Sequence, residues 1–99
     1  MKEITREEFK NELAALETAD KKFEVKSVDC GSIQLSMYDC YVVASNDELF
    51  DEIIIGKPYT NMEVTIAFDI IDAIYKEETT YTLEFNNGMS DVEITVTEE

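Results

Sequence analysis

The sequence predicts an α+β fold: an N-terminal amphipathic helix packed on a curved antiparallel sheet of about five to seven strands. Three observations carry this. A capping-box pattern followed by apolar residues at helical spacing opens the chain. From Phe23 onward the apolar period changes to two, the period of a half-buried strand. Near the C-terminus Asn87-Gly88 separates two alternating runs whose apolar residues meet in register. At 99 residues the chain has the length of one domain, 1–99, with room for one core.

Thr5-x-x-Glu8 is the capping box, and Phe9, Leu13 and Leu16 follow on one face. Glu7 and Glu8 suit the first turn of a helix, and Lys21 and Lys22 follow its end, as the macrodipole prefers. A helix over 6–19 is expected. Alone it would be marginal, so Phe9 and Leu13 require a sheet to cover them. Phe23 and Val25 then alternate with Glu24 and Lys26, and Ile33, Leu35 and Met37 with Gln34 and Ser36. Cys30-Gly31 reads as the turn between them. Tyr38-Asp39-Cys40 reads as a second turn before Tyr41-Val42-Val43-Ala44, the alternative being one long bent strand over 32–44. Ser45 to Glu48 begins a polar connection, with one helical turn as an option. Gly56 ends the run Ile53-Ile54-Ile55, and 57–61 reads as loop. Gly31, Gly56 and Gly88 are all assigned to turns.

Met62, Val64, Ile66 and Phe68 define a further strand. For 69–76, a turn followed by a strand is preferred to a short helix capped by Asp69. In the C-terminal hairpin a two-residue Asn87-Gly88 loop sets Leu83 against Val92 and Tyr81 against Ile94, with Phe85 and Val96 on the same face. The other face then carries Glu84 opposite Asp91 and Thr82 opposite Glu93. Like charges directly opposite weaken a sheet, by an amount comparable to the roughly 0.2–1 kcal/mol gained from a good pair. A three-residue turn at Glu77-Glu78-Thr79 would add Asp72 opposite Glu84, making a row of Asp72, Glu84 and Asp91. Phe9, Phe23, Phe68 and Phe85 fall at inward positions and are expected in the core.

The residue inventory removes much chemistry. With no histidine, the commonest general base and metal ligand are missing, and no Ser-His-Asp or Cys-His arrangement can form. No glycine-rich phosphate-binding motif occurs. Asn46-Asp47-Glu48 with Asp51-Glu52 is dense in carboxylates but lacks the glycine of a calcium loop, so a solvated polar segment is expected. No cofactor and no metal are predicted. Cys30 and Cys40 are too few for a disulfide framework and are expected as reduced thiols, a bridge between them being the alternative. The N-terminus lacks the apolar run of a signal peptide, and no stretch approaches the roughly 20 apolar residues of a membrane span. A cytoplasmic protein is expected.

Twenty-three Asp and Glu face eight Lys and Arg, a formal charge of −15. Residues 1–26 carry a net −1 and residues 27–99 a net −14. Direct nucleic-acid binding is excluded, since phosphates require a basic surface, and anionic membranes are disfavoured. A magnitude of roughly 2–8 suffices for the solubility of a small domain. Salt adaptation fits poorly, because Glu outnumbers Asp and isoleucine is abundant. A basic partner remains, with a groove that normally holds the phosphates of nucleic acid and can hold carboxylates instead.

In size, acidity and lack of catalytic groups the chain resembles the small acidic anti-CRISPR and anti-restriction inhibitors that imitate DNA with carboxylates. The resemblance covers general character and no motif. It implies a non-catalytic inhibitor occupying the nucleic-acid groove of a CRISPR or restriction nuclease. The residues expected to carry binding are Asp72, Glu84, Asp91 and Glu93 on the sheet face, with Glu77 and Glu78 at its rim, each pairing with Lys or Arg of the partner. The alternatives are a small accessory or structural domain whose acidity serves only solubility, and a minimal carboxylate hydrolase.

Overall fold

The computed structural model describes residues 1–29, 32–45, 49, 51–86, 88 and 90–97, and of 32–34 only the backbone. Strand β1 (Lys2–Ile4) leads into helix α1 (Arg6–Thr18). Strands β2 (Lys22–Asp29), β3 (Ser32–Ala44), β4 (Glu52–Gly56) and β5 (Glu63–Ala67) follow. A single 3-10 turn (Phe68–Ile70) then leads to β6 (Ile71–Glu77), β7 (Thr80–Phe85) and β8 (Ser90–Thr97). The strands form one antiparallel sheet in the order β1-β6-β7-β8-β2-β3-β4-β5. The expected α+β class, with one N-terminal helix on an antiparallel sheet, is what forms. Eight strands replace the expected five to seven, and the sheet is not strongly curved.

The helix begins as the sequence requires. The Thr5 hydroxyl accepts from the Glu8 N–H, and the Glu8 carboxylate accepts from the Thr5 N–H. It ends without the usual glycine. Asp20 takes the left-handed conformation at φ 57, its N–H donates to the Glu17 carbonyl, and the Lys21 N–H donates to the Leu16 carbonyl. This is the six-to-one and five-to-two pattern of a Schellman end.

The inner face of the sheet and the helix share the core, where Phe9, Leu13, Phe23, Ile53, Phe68, Leu83 and Ile94 are at most 1 % exposed. Phe85 is only partly buried against it. The Phe9 ring meets Tyr81 edge-on at 5.2 Å and Phe68 at 6.4 Å. Two ionic clusters fasten α1. On one side Arg6 and Lys10 both reach Asp51, and both lie over the Phe68 ring, at 5.1 and 4.8 Å from its centroid. On the other side the Glu12 carboxylate accepts from Lys76 and from the Tyr81 hydroxyl.

Several expectations are corrected. Tyr38-Asp39-Cys40 is not a turn; β3 runs unbroken through it. Between the pairs Phe23↔Cys40 and Val25↔Met37, β3 advances one residue more than β2, and Asp39 absorbs the extra residue at φ 56. A bulge of this kind bends a strand without reversing it. Gly56 closes no turn. It lies buried in β4 opposite Tyr41, where an added Cβ would come 2.3 Å from the Tyr41 hydroxyl oxygen, so the glycine leaves room for the ring. Strand β1 was not visible in the sequence, because three residues with one apolar side chain carry no periodicity. For 69–76, the turn followed by a strand is what forms. Cys40 is a free thiol buried in the core, and burial raises its pKa. The readings at Cys30-Gly31 and at 46–48 fall outside the described residues.

The two ends of α1 make separable predictions. Thr5→Ala should cost about 0.5–2 kcal/mol, and Asp20→Gly should add about 0.4–1 kcal/mol by relieving the left-handed residue. Urea denaturation with an unchanged m-value checks both.

Acid should loosen the helix clusters. The Lys10 hydrogen bond, opposed by burial and aided by the charges of Lys10 and Arg6, holds Asp51 below its ordinary 3.8. Burial opposes the charged form of Glu12, but hydrogen bonds from Lys76 and Tyr81 outweigh it and keep the group below 4.5. Depressed carboxyls stabilise the fold fully above their unfolded values, and that stability is lost as pH falls through the folded ones. Asp51→Asn and Glu12→Gln should therefore lower the thermal midpoint at neutral pH, with the deficit against the parent shrinking below about pH 4.

Candidate functional site

Away from the helix, the strand register orders the outer face into rows. Glu84 of β7 stands opposite Asp91 of β8 and Thr82 opposite Glu93, as the hairpin reading requires. Asp91 and Glu93 are two residues apart on one strand, hence about 6.8 Å apart on the same face. Glu3 of β1 pairs with Tyr75, Tyr75 with Thr82, Thr82 with Glu93 and Glu93 with Lys26. A further row runs Glu77–Thr80–Thr95–Glu24.

Asp72 is not where the sequence reading put it. The β6–β7 connection is two residues, Glu78-Thr79, closed by Glu77↔Thr80, rather than three. Glu78 makes the short turn by adopting φ 54. The register therefore moves by one, and Ala73 rather than Asp72 faces Glu84. Asp72 becomes the extra residue of a bulge between Ile71 and Ala73. There it lines a shallow cleft of about 220 Å³ with Glu3 and Arg6. The row of three carboxylates across three strands does not form. Glu77 is exposed at the end of the outer face and Glu78 at the hairpin tip.

The carboxylates nevertheless converge on one tyrosine. The charge of Glu84 raises the Tyr75 pKa first, followed by burial, Glu3 and Asp72. Three acids from β1, β6 and β7 thus act on one phenol. Sequence reasoning allows Tyr75 as an interface anchor beside carboxylates, with core or rim packing preferred, but misses Glu3, whose place next to it depends on the pairing of β1 with β6.

Cations are distributed the other way. Arg6, Lys10 and Lys76 are held at the helix clusters. On the outer face Lys26 pairs with Glu24 at 3.2 Å and Lys22 with Asp20 at 3.9 Å. The Glu24 hydrogen bond and charge raise the Lys26 pKa, with smaller contributions from Tyr38 and Glu93. Among the described residues no salt bridge reaches Asp72, Glu77, Glu78, Glu84, Asp91 or Glu93, and no group of three His, Cys, Asp or Glu is placed to hold a metal ion. The face presents carboxylates at strand spacing with open hydrogen-bonding capacity, an arrangement suited to guanidinium and ammonium groups. No helix of the described residues is long and apolar enough to cross a membrane. No family model, curated protein or solved structure matches the chain.

The field at Tyr75 can be read directly. In Glu84→Gln the Tyr75 titration midpoint, followed by NMR of its ring carbon, should move down toward 10, with residual elevation from Glu3 and Asp72. An unchanged midpoint would mean that Glu84 does not contribute to the local potential.

Proposed function

We propose that the protein is a non-catalytic binding module acting in the cytoplasm, whose outer sheet face occupies the nucleic-acid groove of a basic partner. An inhibitor of a CRISPR or restriction nuclease is the concrete case. The observation that supports this reading is Glu84 directly opposite Asp91, flanked by Glu93, with no ion pair among the described residues. Cross-strand like charges oppose folding, so selection for stability alone disfavours them. A basic groove converts the same arrangement into charge-assisted hydrogen bonds and speeds encounter by long-range attraction.

The reading is tested by retrieving partners from a bacterial lysate at low and high salt, with the parent chain and with Glu84→Lys/Asp91→Lys. A nucleic-acid-binding partner should be retained by the parent, more weakly as salt rises. The double variant should lose it by about 2–5 kcal/mol of binding, with its fold intact by circular dichroism, since one facing like-charge pair replaces another. Retention of the same partner by the double variant would reject this face as the binding surface.

A further inference from the structure

The inner face is not wholly covered by α1. Beyond the helix an apolar cleft of about 210 Å³ opens beside β5, lined by Leu35, Met37, Val64, Ile66, Ile70 and Phe85 among others. None of its lining residues is ionisable, although the chain carries −15. Val64, Leu35 and Ile70 are 39–45 % exposed there, three of the eight large hydrophobic side chains that are exposed among the described residues.

The two sheet edges are treated differently. β1 is cut to three residues and carries Lys2 and Glu3, the short, charged form that blocks further pairing. β5 has five residues, no lysine, no proline and no bulge, and among the described residues it pairs only with β4.

We infer that β5 is the interface for a second copy of this chain, paired antiparallel about a two-fold axis through Thr65. In that register Val64 of each copy faces Ile66 of the other, toward the clefts. Thr65 faces Thr65, and Glu63 faces Ala67, so the single acid of the strand never meets itself. A basic partner is not what this edge selects, since it offers almost no charge. An isologous contact needs only one self-complementary patch, and β5 provides one. Ile70, which lines the cleft, would close over the joined clefts. This does not rest on the groove reading, because the acidic outer face stays open in the pair.

The test is solution mass by light scattering or sedimentation over a range of concentration, at low and high salt. The parent should approach twice its 11.3 kDa, more readily at high salt, because screening removes repulsion between two anions. That salt dependence is opposite in sign to the one expected for a basic partner. Val64→Lys and Ile70→Glu, both at exposed positions, should give monomers with unchanged circular dichroism, whereas Glu84→Lys/Asp91→Lys should remain dimeric. Two-fold partners at 65 would lie about 4.5–5.5 Å apart, within disulfide reach. On oxidation Thr65→Cys, in a Cys30→Ser background, should therefore cross-link two copies, while Ala67→Cys in the same background and that background alone should not. A parent that stays monomeric at high salt and high concentration overturns the proposal. So does a dimer that survives both edge variants, and cross-linking through position 67 instead of 65 overturns the register.

Discussion

The docking of one short helix onto one side of the sheet governs the rest of the molecule. Thirteen residues of isolated helix are marginal in water, so α1 depends on what it is fastened to. Phe9 and Leu13 supply the apolar contact, and the clusters at Asp51 and Glu12 fix the helix at its two flanks. Those clusters engage Arg6, Lys10 and Lys76, three of only eight basic residues. The outer face is left with Lys22 and Lys26 beside many carboxylates. Its surplus of carboxylates over cations thus reflects where the helix needs cations as much as how many acids there are.

One helix also cannot cover the whole inner surface of an eight-stranded sheet. A helix of this length spans about 20 Å, and it leaves the region beside β5 apolar and open. The molecule consequently carries two surfaces of opposite chemistry. One is anionic, built on β1, β6, β7, β8 and β2, and suited to cations. The other is apolar, built at the β5 edge with Glu63 as its one acid, and suited to apolar contact. Salt would separate the two proposed contacts, since screening would weaken attraction to a basic partner and relieve repulsion between like copies.

Local signals were legible wherever neighbouring residues fixed the outcome. Thr5 and Glu8 cap each other because they are three apart on one turn. Leu83 meets Val92, and Glu84 meets Asp91, because Asn87-Gly88 leaves no other register that keeps the apolar residues together. The less legible places turn on single left-handed residues that are not glycine. Asp39 converts an expected turn into a bulge, Glu78 shortens a loop by one residue, and Asp20 ends the helix. At Glu78 the loss of one loop residue is enough to take Asp72 out of the predicted row. Asp tolerates the left-handed conformation because its short polar side chain can bond locally, but nothing adjacent in the sequence announces it.

The sequence by itself determined the class of fold, the helix with its cap, the C-terminal hairpin and its facing pair of acids. These rest on periodicity and turn chemistry, which are properties of near neighbours. Only the tertiary structure decided that β1 lies beside β6 and brings Glu3 to Tyr75, and that Gly56 makes room for the Tyr41 ring. It alone left β5 at an edge of the sheet, paired among the described residues only with β4. Those outcomes join residues far apart along the chain, and their partners are selected by packing of the whole sheet rather than by any local preference.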